Sequence, residues 1–148
     1  MITLDSNIFV YVSDDRFQLK QRIAQRVVES LAFRRCMIAM QVVGETQNVL
    51  VRKLKLPPEE AVDFGWHMLR SFELASPARA DAAVALTEMA AGRLSYWDAL
   101  LVSTMGRAGC TALLTEDMQD GATLLGVEIV NPFGRDGLSE RAAELLAA

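Results

Sequence analysis

The chain has 148 residues, of which 51% are hydrophobic and 23% charged, and its formal net charge is −4. That length suits one well-packed domain and is too short for two ordinary ones. No apolar run approaches a membrane span, and Asp5 comes too early for a signal peptide, so a cytoplasmic protein with no membrane partner is expected. Cys36 and Cys110 make no disulfide framework and read as small buried thiols.

In chain order, Met1–Leu4 reads as a strand that starts at once. Ser6 or Asn7 caps a short Ile8–Val12 segment, and Asp14-Asp15 makes a turn. Phe17 to Phe33 is helical by the spacing of Leu19, Ile23, Val27 and Leu31, with Arg34-Arg35 near its end, where cations suit the helix dipole. Cys36–Met40 is a second strand, and Gln41–Lys55 a helix that stops before Pro57-Pro58. Pro58 opens another helix through about Phe72, a position where proline is tolerated, and Phe72–Leu74 is a short strand.

Arg79–Ala91 is an Ala-rich helix ended by Gly92, and Tyr96–Ala108 a further helix ended by Gly109. Thr111–Thr115 and Val127–Val130 are the last strands, with a short helical segment expected between them near Met118–Leu125. Strands alternating with helices predict an α/β fold with a parallel sheet covered by helices on both faces.

Four carboxylates break this pattern. Asp5 ends the first strand, and Asp117 follows the run Thr111–Thr115. Glu45 shares a helix face with Val42 and Val49, and Asp98 shares one with Leu101, Val102 and Met105. A charge facing a core costs several kcal/mol unless compensated, and a divalent cation would compensate all four. In open α/β sheets, sites form beyond the C-terminal strand ends, which is where Asp5, Asp117 and the start of the Glu45 helix fall. Each acid also has a structural role open to it. Asp5 and Asp117 can cap helices, Asp98 can pair with Ser95 in a capping box, and Glu45 can pair with Arg52 or Lys53.

Charge is unevenly spread: residues 1–74 hold ten Lys/Arg against nine Asp/Glu, and residues 75–148 five against ten. The bases cluster at Arg16, Lys20, Arg22, Arg26, Arg34, Arg35, Arg52, Lys53 and Lys55. They are either solvated helix faces or a phosphate-contacting rim beside an acidic, metal-loaded centre. The single histidine, His67, excludes a zinc site built on several imidazoles, and no Gly-rich phosphate loop or nucleophile elbow is present.

Leu4-Asp5-Ser6-Asn7, Gly44-Glu45, Ser95-Tyr96-Trp97-Asp98-Ala99, and Thr115-Glu116-Asp117-Met118 through Asn131-Pro132-Phe133 together resemble the PIN-domain nucleases, and among them the VapC-type toxins of toxin–antitoxin pairs. The resemblance spans about residues 1–133, leaving 134–148 as a C-terminal extension that forms a short helix or a frayed tail. It implies a three-layer PIN-like fold with sheet order 3-2-1-4-5. It further implies an acidic quartet of Asp5, Glu45, Asp98 and Asp117 holding Mg²⁺ or Mn²⁺, with Asp5 and Asp98 on the principal ion. Asn7 and Thr115 match the supporting polar positions.

The implied activity is metal-dependent endoribonuclease cleavage of RNA leaving a 5′-phosphate, in a homodimer restrained by a cognate antitoxin protein. Glu116 and Asp120 flank Asp117 and compete for its role; Asp117 alone matches the Thr-x-Asp spacing. The alternative is a catalytically inactive PIN domain acting as an RNA- or protein-binding module. A haloacid-dehalogenase-type phosphatase would need a second Asp where Asn7 stands. A receiver domain would need an Asp and a Lys where Met40-Gln41 and Thr115 stand.

Overall fold

A computed structural model describes every residue of the chain except Phe33 and Arg35. The expected helix end at Phe33 and the Arg35 member of the basic cluster therefore lie outside the described residues. β1 (Ile2–Leu4) leads into α1 (Ser6–Val12) and α2 (Gln18–Leu31), and β2 (Met37–Ala39) into α3 (Met40–Arg52) and α4 (Pro58–Ser71). β3 (Glu73–Ala75) is followed by α5 (Arg79–Ala90) and α6 (Tyr96–Arg107). β4 (Ala112–Leu114), β5 (Thr123–Leu124), β6 (Val127–Val130) and α7 (Glu140–Ala147) complete the chain.

β1, β4 and β6 pair in parallel, as do β2 and β3, and a parallel bridge between Ile2 and Cys36 joins the two groups. The parallel order is thus β3-β2-β1-β4-β6, the expected 3-2-1-4-5 when β6 is counted fifth. One expectation fails: no helix forms near Met118–Leu125. That stretch is bends and turns followed by β5, which pairs antiparallel with β6 through a two-residue turn. Leu125 and Gly126 both take positive φ (50° and 82°), the geometry of a tight hairpin. The left-handed pair Leu125-Gly126 turns the chain back on itself instead.

Leu4, Ile8, Phe9, Ile38, Leu113, Leu114 and Ile129 are fully buried around the sheet, and Phe9 meets Phe72 edge-on at 5.5 Å. Ala142 and Leu146 of α7 belong to this same core, and Arg34 Nη1 donates to the Leu146 carbonyl at 2.6 Å. Cys36 and Cys110 are buried and free, with burial pushing the Cys36 thiol up to about 12. Gly65 lets α4 close on α3, because a Cβ there would meet Gln47 Nε2 at 2.9 Å. That amide donates to the Ala61 carbonyl, so α3, which carries Glu45, is pinned to α4. Among the described residues no helix is long and apolar enough to cross a membrane.

Candidate active site

The parallel register decides which side chains meet. Leu4 lies opposite Leu114, and Leu114 opposite Val130. The ladder runs one step further, with Asp5 N donating to Leu114 O at 3.1 Å and Thr115 N to Val130 O at 3.0 Å. Asp5 and Thr115 therefore leave adjacent strand ends side by side, and the Thr115 hydroxyl donates to Asp5 Oδ2 at 2.7 Å. The other Asp5 oxygen accepts from Ser6 N at 2.7 Å, which makes Asp5, rather than Ser6 or Asn7, the N-cap of α1.

The Asn7 amide fills the space between two acids. Its Nδ2 lies 3.2 Å from Asp5 Oδ2, 2.9 Å from Thr115 Oγ1 and 3.0 Å from Asp117 Oδ2. Its Oδ1 is buried with no hydrogen-bond partner among the described residues. Burial raises the Asp5 carboxyl to about 6 against the pull of Thr115 and Ser6, and the Glu45 and Asp117 charges push it the same way. Three of the four expected acids thus share one electrostatic field.

Glu45 enters from α3, where Gln41, one turn earlier, donates to Glu45 Oε1 at 2.7 Å. The same Gln41 nitrogen donates to the Trp97 carbonyl at 3.2 Å, tying α3 to the first turn of α6 beside Asp98. The Asp98 amide is capped by Ser95 Oγ at 3.1 Å. No hydrogen bond joins the Asp98 carboxylate to Asp5, Glu45 or Asp117 among the described residues. A depression of about 660 Å³ lined by Met40, Gln41, Glu45, Pro77, Trp97 and Leu100 opens here.

The expectation that all four acids face the interior needs correction. Asp5 alone is buried; Glu45 and Asp98 are half-buried, and Asp117 is exposed. Asp5 follows β1 directly, whereas Asp117 lies three residues past the end of β4. The rivals of Asp117 are otherwise engaged. Asp120 accepts from Asn131 N at 2.7 Å. Glu116 accepts from the Tyr11 hydroxyl and from Lys20 Nζ, both at 2.5 Å. Burial raises the Tyr11 hydroxyl, and Glu116 adds to it. Burial opposes the charge on Lys20, but Glu116 and Tyr11 hold its ammonium above the ordinary lysine range. Sequence reasoning missed Gln41 and Tyr11 as parts of this region, and it read Lys20 as a rim base rather than as the partner of Glu116. Gln41 stands one turn before Glu45, which was a readable signal; the Tyr11–Glu116 and Lys20–Glu116 pairs have no local one.

The donor set is all oxygen, the chemistry that Mg²⁺ and Mn²⁺ require. Asp5, held near 6 by burial and like charges, is a carboxylate that a cation would stabilise, and the orphaned Asn7 Oδ1 is a further oxygen beside it. The residues fit such an ion in kind. As they stand, no three His, Cys, Asp or Glu side chains among the described residues converge closely enough to hold one. The Asn7 amide supplies part of the compensation between Asp5 and Asp117.

With this geometry in place, the chain can be assigned to a class: the family model for the PIN domain matches residues 2–119, and the chain belongs to that family. Among solved structures, the fold is similar to that of Mycobacterium tuberculosis VapC20, described as a Sarcin-Ricin loop cleaving toxin. The TM-score is 0.61 at 17% identity, covering 79% of this chain and 90% of that one. No curated protein matches the chain significantly.

Proposed function

We propose that this chain is a metal-dependent endoribonuclease, the toxin member of a toxin–antitoxin pair. The observation that carries the reading is Asp5, a buried carboxylate at the C-terminal edge of the parallel sheet, raised to about 6 in the field of Glu45 and Asp117. Membership of the PIN family and the VapC20-like fold support it. Asp5, Glu45, Asp98 and Asp117 would hold Mg²⁺ or Mn²⁺, with Asp5 and Asp98 on the principal ion. The bound ion supplies Lewis-acid chemistry, making a water more acidic and offsetting charge that builds on the phosphate.

The chain's own residues do the positioning. Ser6 N–H and the Thr115 hydroxyl fix the two Asp5 oxygens, and the Asn7 amide orients Asp5 and Asp117 together. Gln41 keeps Glu45 turned toward the first turn of α6. A carboxylate in this group takes a proton from the water as its oxygen bonds to phosphorus. The bond to the 3′ oxygen breaks and that oxygen takes a proton from solvent, leaving a 5′-phosphate and a 3′-hydroxyl, with no covalent enzyme intermediate. An antitoxin segment would block this by filling the apolar depression beside Glu45, and exposed Trp66, Leu69, Leu86 and Met89 supply apolar surface for a homodimer.

The second reading is a binding-only PIN domain, favoured by one observation: the Asn7 amide already stands between Asp5 and Asp117. Purified protein incubated with structured RNA and Mg²⁺ or Mn²⁺ separates the two. Cleavage that EDTA and Asp5→Asn both abolish supports the nuclease. Tight RNA binding without cleavage under any divalent metal leaves the binding module.

A further inference from the structure

Asn7 and Asp117 line a second pocket, of about 260 Å³ and with a different character from the apolar depression. Its walls include Tyr11, Arg16, Phe17 and Lys53 as well as Asn7 and Asp117. Arg16 is set in place rather than free. Its Nε and Nη2 donate to the two oxygens of Asp14 at 2.9 and 2.8 Å, and the Asp14 side chain is only 5% exposed. That fork uses one edge of the guanidinium, and its remaining N–H groups make no hydrogen bond among the described residues, on a side chain that is 63% exposed.

Phe17 is 48% exposed, an uncommon place for a phenyl ring. It is not loose: the ring stands edge-on to Tyr11 at 5.9 Å and 89°, and the Arg16 guanidinium carbon lies 5.6 Å from its centroid. Lys53 lines the same pocket from the C-terminal end of the helix that carries Glu45. It forms no salt bridge among the described residues. A held, half-exposed aromatic ring that shares its pocket with Arg16 and Lys53, beside an acidic centre in a protein of net charge −4, matches a single-stranded nucleotide, with its base on the ring and its phosphates on the cations.

We propose that the Arg16–Phe17–Lys53 pocket is a nucleotide subsite that seats the RNA residue next to the phosphodiester at Asp117. The base stacks on Phe17, and Arg16 and Lys53 contact the flanking phosphates. This rests on the ribonuclease reading for what happens at the neighbouring phosphate, but the binding claim stands on the pocket itself. Stacking tolerates every base, so the pocket selects for an unpaired nucleotide, and cleavage is directed to loops and single strands.

The test uses the full chain carrying Asp5→Asn, which binds without turnover, and a labelled unstructured RNA oligonucleotide followed by fluorescence anisotropy. Phe17→Ala should weaken binding about tenfold, and Phe17→Tyr should restore it to within about twofold. Against the same strand with abasic residues, Phe17→Ala should have no further effect. Lys53→Gln should lower the slope of log K against log salt by about 0.7, one single-strand phosphate contact.

If Phe17→Ala binds as tightly as its parent, or loses as much against the abasic strand, the subsite is wrong. Cleavage by the otherwise unaltered chain, read separately, then still decides the nuclease. If that chain cuts no RNA yet the Phe17 and Lys53 effects appear, the subsite stands and the nuclease falls. If no variant binds RNA, the subsite falls, and cleavage by the unaltered chain alone decides the nuclease.

Discussion

In metal-free protein, replacing Asp5 by asparagine should remove a pH-dependent destabilisation. Burial and the Glu45 and Asp117 charges raise the Asp5 carboxyl from an ordinary 3.8 to about 6. A raised carboxyl means that the folded state binds the proton more tightly than the unfolded state. Stability is therefore fully present below about 3.8 and is lost as pH rises through about 6. At about 1.4 kcal/mol per pH unit, that interval corresponds to about 3 kcal/mol above the window. Asp5→Asn removes the ionised form, but its new amide faces the Asn7 amide and loses an acceptor for Thr115 or Asn7. The net gain near neutral pH should be about 1–2 kcal/mol, and below about pH 4 the variant should be no more stable than its parent.

Urea denaturation in EDTA across that range, followed by far-UV circular dichroism, measures both curves. Adding Mg²⁺ near neutral pH should then raise the midpoint of the unaltered chain and leave Asp5→Asn unmoved. Parallel pH profiles for the two proteins, or an Asp5→Asn variant that is less stable at every pH, would refute the reasoning.

Glu116→Gln and Asp117→Asn separate two adjacent acids. Asp117→Asn should lower RNA cleavage by about 10²-fold or more, whereas Glu116→Gln, which keeps an acceptor for Tyr11 and Lys20, should change it by less than about tenfold in gel-based turnover assays. Leu146→Ala should cost about 2–3 kcal/mol in urea denaturation, because α7 carries Leu146 into the main core; a loss under about 0.5 kcal/mol would mean that the helix is peripheral.

Asp81 is buried where α5 meets α6. Burial alone would raise its carboxyl, but Arg107, Ala78 N and Ser103 together hold it below the usual range. Its contribution is present above the unfolded pKa and lost as pH falls, so Asp81→Ala should cost about 2–3 kcal/mol near neutral pH and progressively less in acid.

What could be read from the chain alone follows the range of the signal. Asp5 was legible because a charge directly after Met1–Leu4 interrupts an apolar run, and the strand–helix alternation then places it at a sheet edge. The parallel register adds what no local pattern contains: Thr115 arrives 110 residues later and meets it through a ladder continued by one hydrogen bond on each strand. Burial was misjudged at Asp117, which lies three residues past the end of β4 and is exposed, whereas Asp5, directly after β1, is buried. The stretch before β6 is a hairpin rather than the expected short helix, because Leu125-Gly126 takes the left-handed turn that the strands' twist favours.

The Tyr11–Lys20–Glu116 cluster was out of reach for the same reason as the Asp5–Thr115 contact, since its partners come from α1, α2 and the end of β4. That cluster has a consequence for the site. By engaging both oxygens of Glu116, it leaves Asp117 as the acid of this turn that shares the Asn7 amide with Asp5. A second uncompensated carboxylate at position 116 would add to the repulsion already felt by Asp5, so Lys20 limits the charge that any cation here would have to offset.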